Sequence, residues 1–189
     1  MAGGGSPEQL DVTAAHINKY LELKDLGIIK KYLGIDITSC TDSSGNPMFL
    51  LDQQEYINTL IEEYNMTHSF PVSTPMLPNE NWNSDLTLLN DYAKKRYQAL
   101  IGSLLYLTHG TRPDINYFVI KLSQYSSKPR LAHWGALKRV LRYLKGTASA
   151  ALTIQFHKDD GLIGYFDVAH ADNENRRYNG EPFASRKSA

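Results

Sequence analysis

Cysteine is nearly absent from this 189-residue chain, in which Cys40 stands alone. A single thiol excludes a disulfide framework and any cysteine-based zinc site, and it points to a reducing, intracellular setting in which Cys40 acts as a small hydrophobe. Long apolar runs are missing too. No stretch approaches the roughly 18 residues needed to span a bilayer, and Met1-Ala2-Gly3-Gly4-Gly5-Ser6-Pro7 has neither the basic nor the apolar segment of a secretory signal. Neither membrane insertion nor secretion is therefore expected, and the sequon-like Asn65-Met66-Thr67 is read as chance.

Acids are missing from one region in particular. None occurs between Asp114 and Asp159, although Lys121, Lys128, Arg130, Lys138, Arg139, Arg142, Lys145 and Lys158 all do. Residues 1–90 carry 12 acids and 4 bases, residues 91–158 carry 2 and 12, and residues 159–189 carry 6 and 4, so a net charge of zero hides segments of −8, +10 and −2. A polyanion would meet the middle segment and not the mean.

What is present suffices for one or two compact units, since 42% of the residues are hydrophobic. Ser6-Pro7-Glu8 marks a helix start, and Leu10, Ala14, Ile17 and Leu21 carry a helix from Pro7 to about Leu23. The period then changes. Tyr32–Thr38 and Met48–Leu51, joined by the turn chemistry of residues 42–47, read as a β-hairpin. Asp52-Gln53-Gln54-Glu55 resembles a capping box that opens a helix through Tyr64. Pro71, Pro75 and Pro78 then mark a loop.

Three helices fill the basic half. The first is capped by Asn90 or Asp91 and ends at Gly110; the second restarts at Thr111-Arg112-Pro113-Asp114 and is stopped by Pro129. The third runs from Leu131 to Lys145. At 100° per residue, Lys138, Arg142 and Lys145 share a sector of about 60°, with Arg139 beside them and Trp134, Leu137, Val140, Leu141 and Leu144 on another side. Two readings stay open for this cationic face: the solvated side of an amphipathic helix, or a surface that contacts phosphates.

Other chemistry is sparse. His16, His68, His109, His133 and His157 show no ligand spacing. Asp167, His170 and Asp172 would make a thin metal site, and exposed polar residues at a strand end are the simpler account. No nucleophile triad, phosphate-binding glycine motif or paired acid/base carboxylates can be placed.

An ordered series of blocks resembles the reverse transcriptase region of copia-type LTR retrotransposon polyproteins. The blocks are Leu23-Lys24-Asp25-Leu26-Gly27, Lys31–Ile37, Tyr56-Ile57, Val72-Ser73-Thr74-Pro75-Met76, Tyr97–Leu107, Thr111-Arg112-Pro113-Asp114-Ile115, His133, and Leu137–Thr147. The resemblance covers nearly the whole chain. It implies an α+β, mainly helical fold in three parts: residues 1–51 as the end of the polymerase palm, 52–157 as a helical thumb and connection, and 158–189 as the truncated start of an RNase H-like domain.

It also implies roles. Tyr32, Leu33 and Gly34 would belong to the hairpin that grips the primer end, while Arg112, Lys121, Lys128, Arg130, Lys138, Arg139, Arg142 and Lys145 would hold an RNA–DNA or DNA duplex through its backbone. The remainder of the polymerase would be a second partner. In such enzymes two aspartates of a Tyr-x-Asp-Asp turn hold magnesium ions. That turn is absent here, and Asp159-Asp160 lacks its flanking residues. Asp167 matches the first RNase H carboxylate, but Ala169 and His170 stand where a second aspartate and a tryptophan are usual. The expectation is thus a fragment without catalytic activity or cofactor of its own; a host-adopted protein-interaction module and a decayed remnant without a selected role are the alternatives.

Overall fold

The computed structural model describes residues 7–24, 27–77, 82 and 85–155. These form a mixed α+β fold of helices and a small antiparallel sheet. In chain order the elements are α1 (Pro7–Ile17), β1 (Lys31–Tyr32), β2 (Ile35–Thr41), β3 (Pro47–Asp52), α2 (Gln54–Glu63), α3 (Asp91–Gly110), a 3₁₀ turn (Pro113–Ile115), α4 (Asn116–Ser123), α5 (Leu131–Gly146) and β4 (Leu152–Gln155).

The hairpin forms as its residues require. Asp42 Oδ1 accepts from the backbone N–H groups of Ser44 and Asn46, both at 2.8 Å, and Gly45 takes φ +81°. An aspartate that folds its own backbone in this way, followed by a glycine in the left-handed region, closes the turn between β2 and β3. The sheet order is β1-β2-β3-β4. β4 is not foreseen in the sequence reading; it pairs antiparallel with β3, Leu51 opposite Leu152 and Met48 opposite Gln155, and so joins the end of the helical block to the hairpin.

Helix α1 stops at Ile17 instead of near Leu23. Asn18 Oδ1 accepts the Leu23 backbone N–H at 2.9 Å, and the Tyr20 N–H turns to Ile17 O, so a side chain offers the backbone an alternative to the helical ladder. All of α1's described side chains are exposed, Val12 (71%) among them. The start of α2 also departs from expectation. Its N-cap is Gln53, Asp52 Oδ1 accepts from Gln54 N at 3.2 Å, and the Glu55 carboxylate is drawn to Lys31 Nζ at 2.7 Å instead of back to the cap.

The hydrophobic core belongs to the helices. Ile57, Leu60, Tyr97, Leu100, Leu104, Leu107, Ile115, Val119, Leu137 and Leu141 lie at 2% exposure or less, whereas β2 and β3 are no more than half-buried. Each such side chain contributes about 1.5–3 kcal/mol by leaving water, so α2–α5 hold the structure together and the sheet is carried by them. Asn90 caps α3 as expected, its Oδ1 accepting from Ala93 N at 2.8 Å. α4 ends at Ser123, well before Pro129, because side chains of α3 take carbonyls at and just beyond its end: Tyr97 Oη donates to Leu122 O and Gln98 Nε2 to Ser126 O, both at 2.8 Å.

Candidate nucleic-acid interface

Helix α5 carries its cations where the helical period places them, but they do not face open solvent alone. Residues 67–74 run along the helix as a strap. Lys145 Nζ donates to Thr67 O and, at 2.8 Å, to Ser69 O; Arg142 Nε donates to Phe70 O at 2.6 Å; Arg139 Nη2 donates to Thr74 Oγ1 at 2.9 Å. Gly146 permits this approach, since a Cβ there would lie 3.0 Å from the Pro71 Cβ. Carbonyl and hydroxyl acceptors orient these cations without neutralising them, so the helix keeps its positive field.

Arg112 has a different fate from the one the sequence suggested. Its side chain is 3% exposed, and every nitrogen is engaged: Nε and Nη2 donate to Asp114 Oδ1 and Oδ2 at 3.0 and 2.8 Å, and Nη1 and Nη2 donate to Thr147 O and Oγ1 at 2.9 and 2.7 Å. Tyr143 Oη adds a hydrogen bond to Asp114 Oδ2 at 2.8 Å. Burial pushes the Asp114 carboxyl up, but the bonds from Arg112 and Tyr143 outweigh it and hold the group below its ordinary value. Arg112 is thus a fastener between the 3₁₀ turn and the end of α5, withdrawn from any phosphate at the surface.

The other expected cations are more open. Lys128 and Lys138 are exposed, the latter with Nζ 5.8 Å from the Trp134 ring centre. Lys121 is half-buried with Nζ near the rings of Trp82 and Tyr117, at 5.4 and 5.7 Å, and Arg130 is half-buried at the start of α5. Cation–π contacts hold such side chains in place while leaving the charge available.

At the far end of the sheet, Tyr32, Leu33 and Gly34 form a tight tip. Tyr32 pairs with Ile35, leaving Leu33 and Gly34 as a two-residue loop with φ +48° and +74°. A type I′ turn needs both residues in the left-handed region, which suits glycine and strains leucine. Tyr106 Oη from α3 donates to Leu33 O and secures the tip. Beside it lies an open cleft of about 480 Å³ lined by Lys31, Gly34, Glu55, Tyr56, Thr59 and Tyr106. Tyr56 and Tyr106 meet edge to face at 5.1 Å, and Lys31 bridges Glu55 at 2.7 Å and Asp36 at 3.5 Å. Neither Tyr106 nor Glu55 stood out in the sequence, where one reads as part of an apolar helix face and the other as a cap.

Among the described residues no group of three or more His, Cys, Asp or Glu side chains is placed to hold a metal ion, so they do not fit the magnesium pair of an intact polymerase. No described helix is long and apolar enough to cross a membrane. Asp159, Asp160, Asp167, His170 and Asp172 lie outside the described residues.

The chain has counterparts among known sequences. The family described as reverse transcriptase (RNA-dependent DNA polymerase) matches residues 3–78. The chain is a retrovirus- and retrotransposon-Pol-related protein of this reverse transcriptase family.

It is 34% identical over 167 residues to the retrovirus-related Pol polyprotein from transposon TNT 1-94 of Nicotiana tabacum, across 85% of this chain and 12% of that protein. To the corresponding polyprotein from transposon RE1 of Arabidopsis thaliana it is 34% identical, across 87% of this chain and 11% of the relative. A putative transposon Ty5-1 protein of Saccharomyces cerevisiae is 31% identical, with 87% and 52% covered. The chain therefore spans about a tenth of the two Pol polyproteins and about half of the yeast protein. No solved structure matches it significantly.

Proposed function

We propose that the chain is a fragment of a copia-type LTR retrotransposon reverse transcriptase, corresponding to the region after the catalytic Tyr-x-Asp-Asp turn, that polymerises nothing by itself and binds a nucleic-acid duplex. In this reading α1 and the β1–β3 hairpin derive from the end of the palm, with Tyr32, Leu33 and Gly34 as a primer-grip-like tip. Helices α2–α5 are the thumb and connection, and residues after 157 begin an RNase H-like domain that retains Asp167 alone.

The observation that carries the proposal is charge left unneutralised. Residues 91–158 hold 12 bases against 2 acids, and the one ion pair within that half among the described residues is Arg112 with Asp114. A surface with spaced, uncompensated cations displaces counterions from a phosphate backbone without reading bases. Of the eight cations that the family resemblance assigns to the duplex, Lys128 and Lys138 are the exposed ones that serve this role without also holding the strap.

Gel-shift titration with an RNA–DNA hybrid at several salt concentrations tests it. Binding should weaken steeply with salt, and Lys128→Glu with Lys138→Glu should reduce the slope of log affinity against log salt by about 1–2. No shift even at low salt overturns the duplex-binding reading. Primer extension with magnesium should give no product; extended primer overturns the noncatalytic part.

A second reading, a host-adopted protein-interaction module, is favoured by one observation. Leu10, Val12, Ile17, Tyr20, Leu21 and Leu23, in and after α1, are all exposed, as a surface awaiting a partner would be. That partner, in the leading reading, is the remainder of the polymerase.

A further inference from the structure

The strap over α5 presents one hydroxyl to a guanidinium that is only half engaged. Thr74 is exposed, lies in an irregular stretch of backbone and is followed by Pro75. Its Oγ1 accepts from Arg139 Nη2 at 2.9 Å, while Arg139 Nε is buried and has no hydrogen-bond partner among the described residues. The Nε–Nη2 edge of an arginine is a fork suited to two oxygens of one anion. The same chain shows that edge fully used at Arg112, whose Nε and Nη2 take the two oxygens of Asp114 at 3.0 and 2.8 Å. At Arg139 no described residue supplies the second oxygen.

We propose that Thr74 is a phosphorylation site, modified by a proline-directed protein kinase, and that the attached phosphate completes the Arg139 fork. Thr74 Oγ1 attacks the γ-phosphorus of ATP, the bond from that phosphorus to the leaving ADP oxygen breaks, ADP departs with the electron pair, and the hydroxyl proton passes to the kinase base. Oγ1 then becomes an ester oxygen, and the phosphoryl oxygens, carrying about −1.5 to −2 of charge near neutral pH, replace it as acceptors for Nη2 and supply one for Nε.

Two further features favour the product. A kinase that selects a following proline requires an extended, accessible segment, and residues 70–77 are neither helix nor strand. The added charge meets no carboxylate of the strap or of α5, since residues 64–77 and 115–158 contain no Asp or Glu. A phosphate here converts a one-point contact between strap and helix into a charged, two-point one.

The test uses the full chain treated with a proline-directed serine/threonine kinase and magnesium ATP, with a synthetic peptide of residues 70–77 alongside. Peptide mapping should place phosphate on Thr74 in the folded chain. In a phosphorus-31 NMR titration, the second pKa of that phosphothreonine should fall at least about half a unit below that of the phosphopeptide, and Arg139→Gln should remove most of the difference. Arg139→Lys, which keeps charge but not the fork, should give a smaller shift and serves if the glutamine variant does not fold. The proposal is overturned if the peptide but not the folded chain accepts phosphate at Thr74, or if the titration is the same with Arg139 replaced.

Discussion

Gly110 and Gln53 touch so closely that the glycine has no room for a side chain. A Cβ built on Gly110 would sit 2.3 Å from Gln53 Oε1 and 3.0 Å from Gln53 Cδ. Gln53 is 1% exposed, and its Oε1 accepts from Thr111 Oγ1 at 3.1 Å, so the junction before α2 is keyed to the end of α3.

Gly110→Ala should therefore destabilise the chain by about 1–2 kcal/mol, because displacing Gln53 forfeits a buried hydrogen bond and outweighs the helical preference of alanine. Urea unfolding checks it, and an unchanged or raised midpoint would show that Gln53 has room to move. Adding Gln53→Ala should recover part of the loss.

At the hairpin tip the expected signs are opposite for adjacent residues. Leu33→Asn should stabilise by about 0.5–1 kcal/mol, since asparagine tolerates φ +48° better than leucine. Gly34→Ala should cost about 1–2 kcal/mol, as it adds a side chain at φ +74° and places Cβ 2.6 Å from Tyr106 Oη. Thermal melts of the two variants moving in the same direction would contradict the turn assignment.

Arg112→Ala should lower stability by about 2–3 kcal/mol, less than the loss of a wholly buried ion pair because Asp114 is 39% exposed. Arg112→Lys should restore only a minority of this, since an ammonium cannot span both oxygens of Asp114 and Thr147 together. A lysine variant as stable as the original would reduce Arg112 to a point charge.

Acid should weaken the fold in two stages. His133 is fully buried, its Nδ1 accepts from Arg130 N at 3.0 Å, and its ring stacks on Tyr125 at 3.9 Å. Burial, reinforced by the Arg130 charge, pushes its pKa below the ordinary 6.5. The folded state thus prefers the neutral ring; its contribution is complete above about 6.5 and is lost as pH falls through the lowered folded value. Asp114, also lowered, contributes above its unfolded 3.8 and loses that contribution further down. His133→Gln keeps an acceptor for the Arg130 N–H and removes the titration. Denaturation midpoints between pH 7 and 5 should be flatter in that variant, and an unaltered slope would assign the effect elsewhere.

The helical block was open to sequence reading because α2, α3 and α5 repeat their apolar residues at the helical period, and Asn90 and Gly110 stand at the ends of α3. What the sequence could not disclose was whatever depends on distant partners. Lys145, Arg142 and Arg139 plainly share a face, but nothing local says that backbone about seventy residues earlier lies across it. Arg112, beside Pro113 and Asp114, reads as surface charge until Thr147 closes on it. Asn18 ends α1 by a side-chain bond that periodicity does not register. Strand β4 did leave a trace, the alternation of Leu152 and Ile154 with Thr153 and Gln155, but four residues are too few to separate a strand from a loop without their partner.

That strand also closes a long stretch of chain. Leu51 meets Leu152 about a hundred residues further along the chain, so the last rung of the sheet closes one of the longest loops in the molecule. The β2–β3 hairpin rests on nearer contacts and can form first, which leaves β3 with its outer edge bare until β4 arrives. A ribosome that stops before Ile154, or a protease that trims back to α5, would leave that edge permanently open to strands of other molecules.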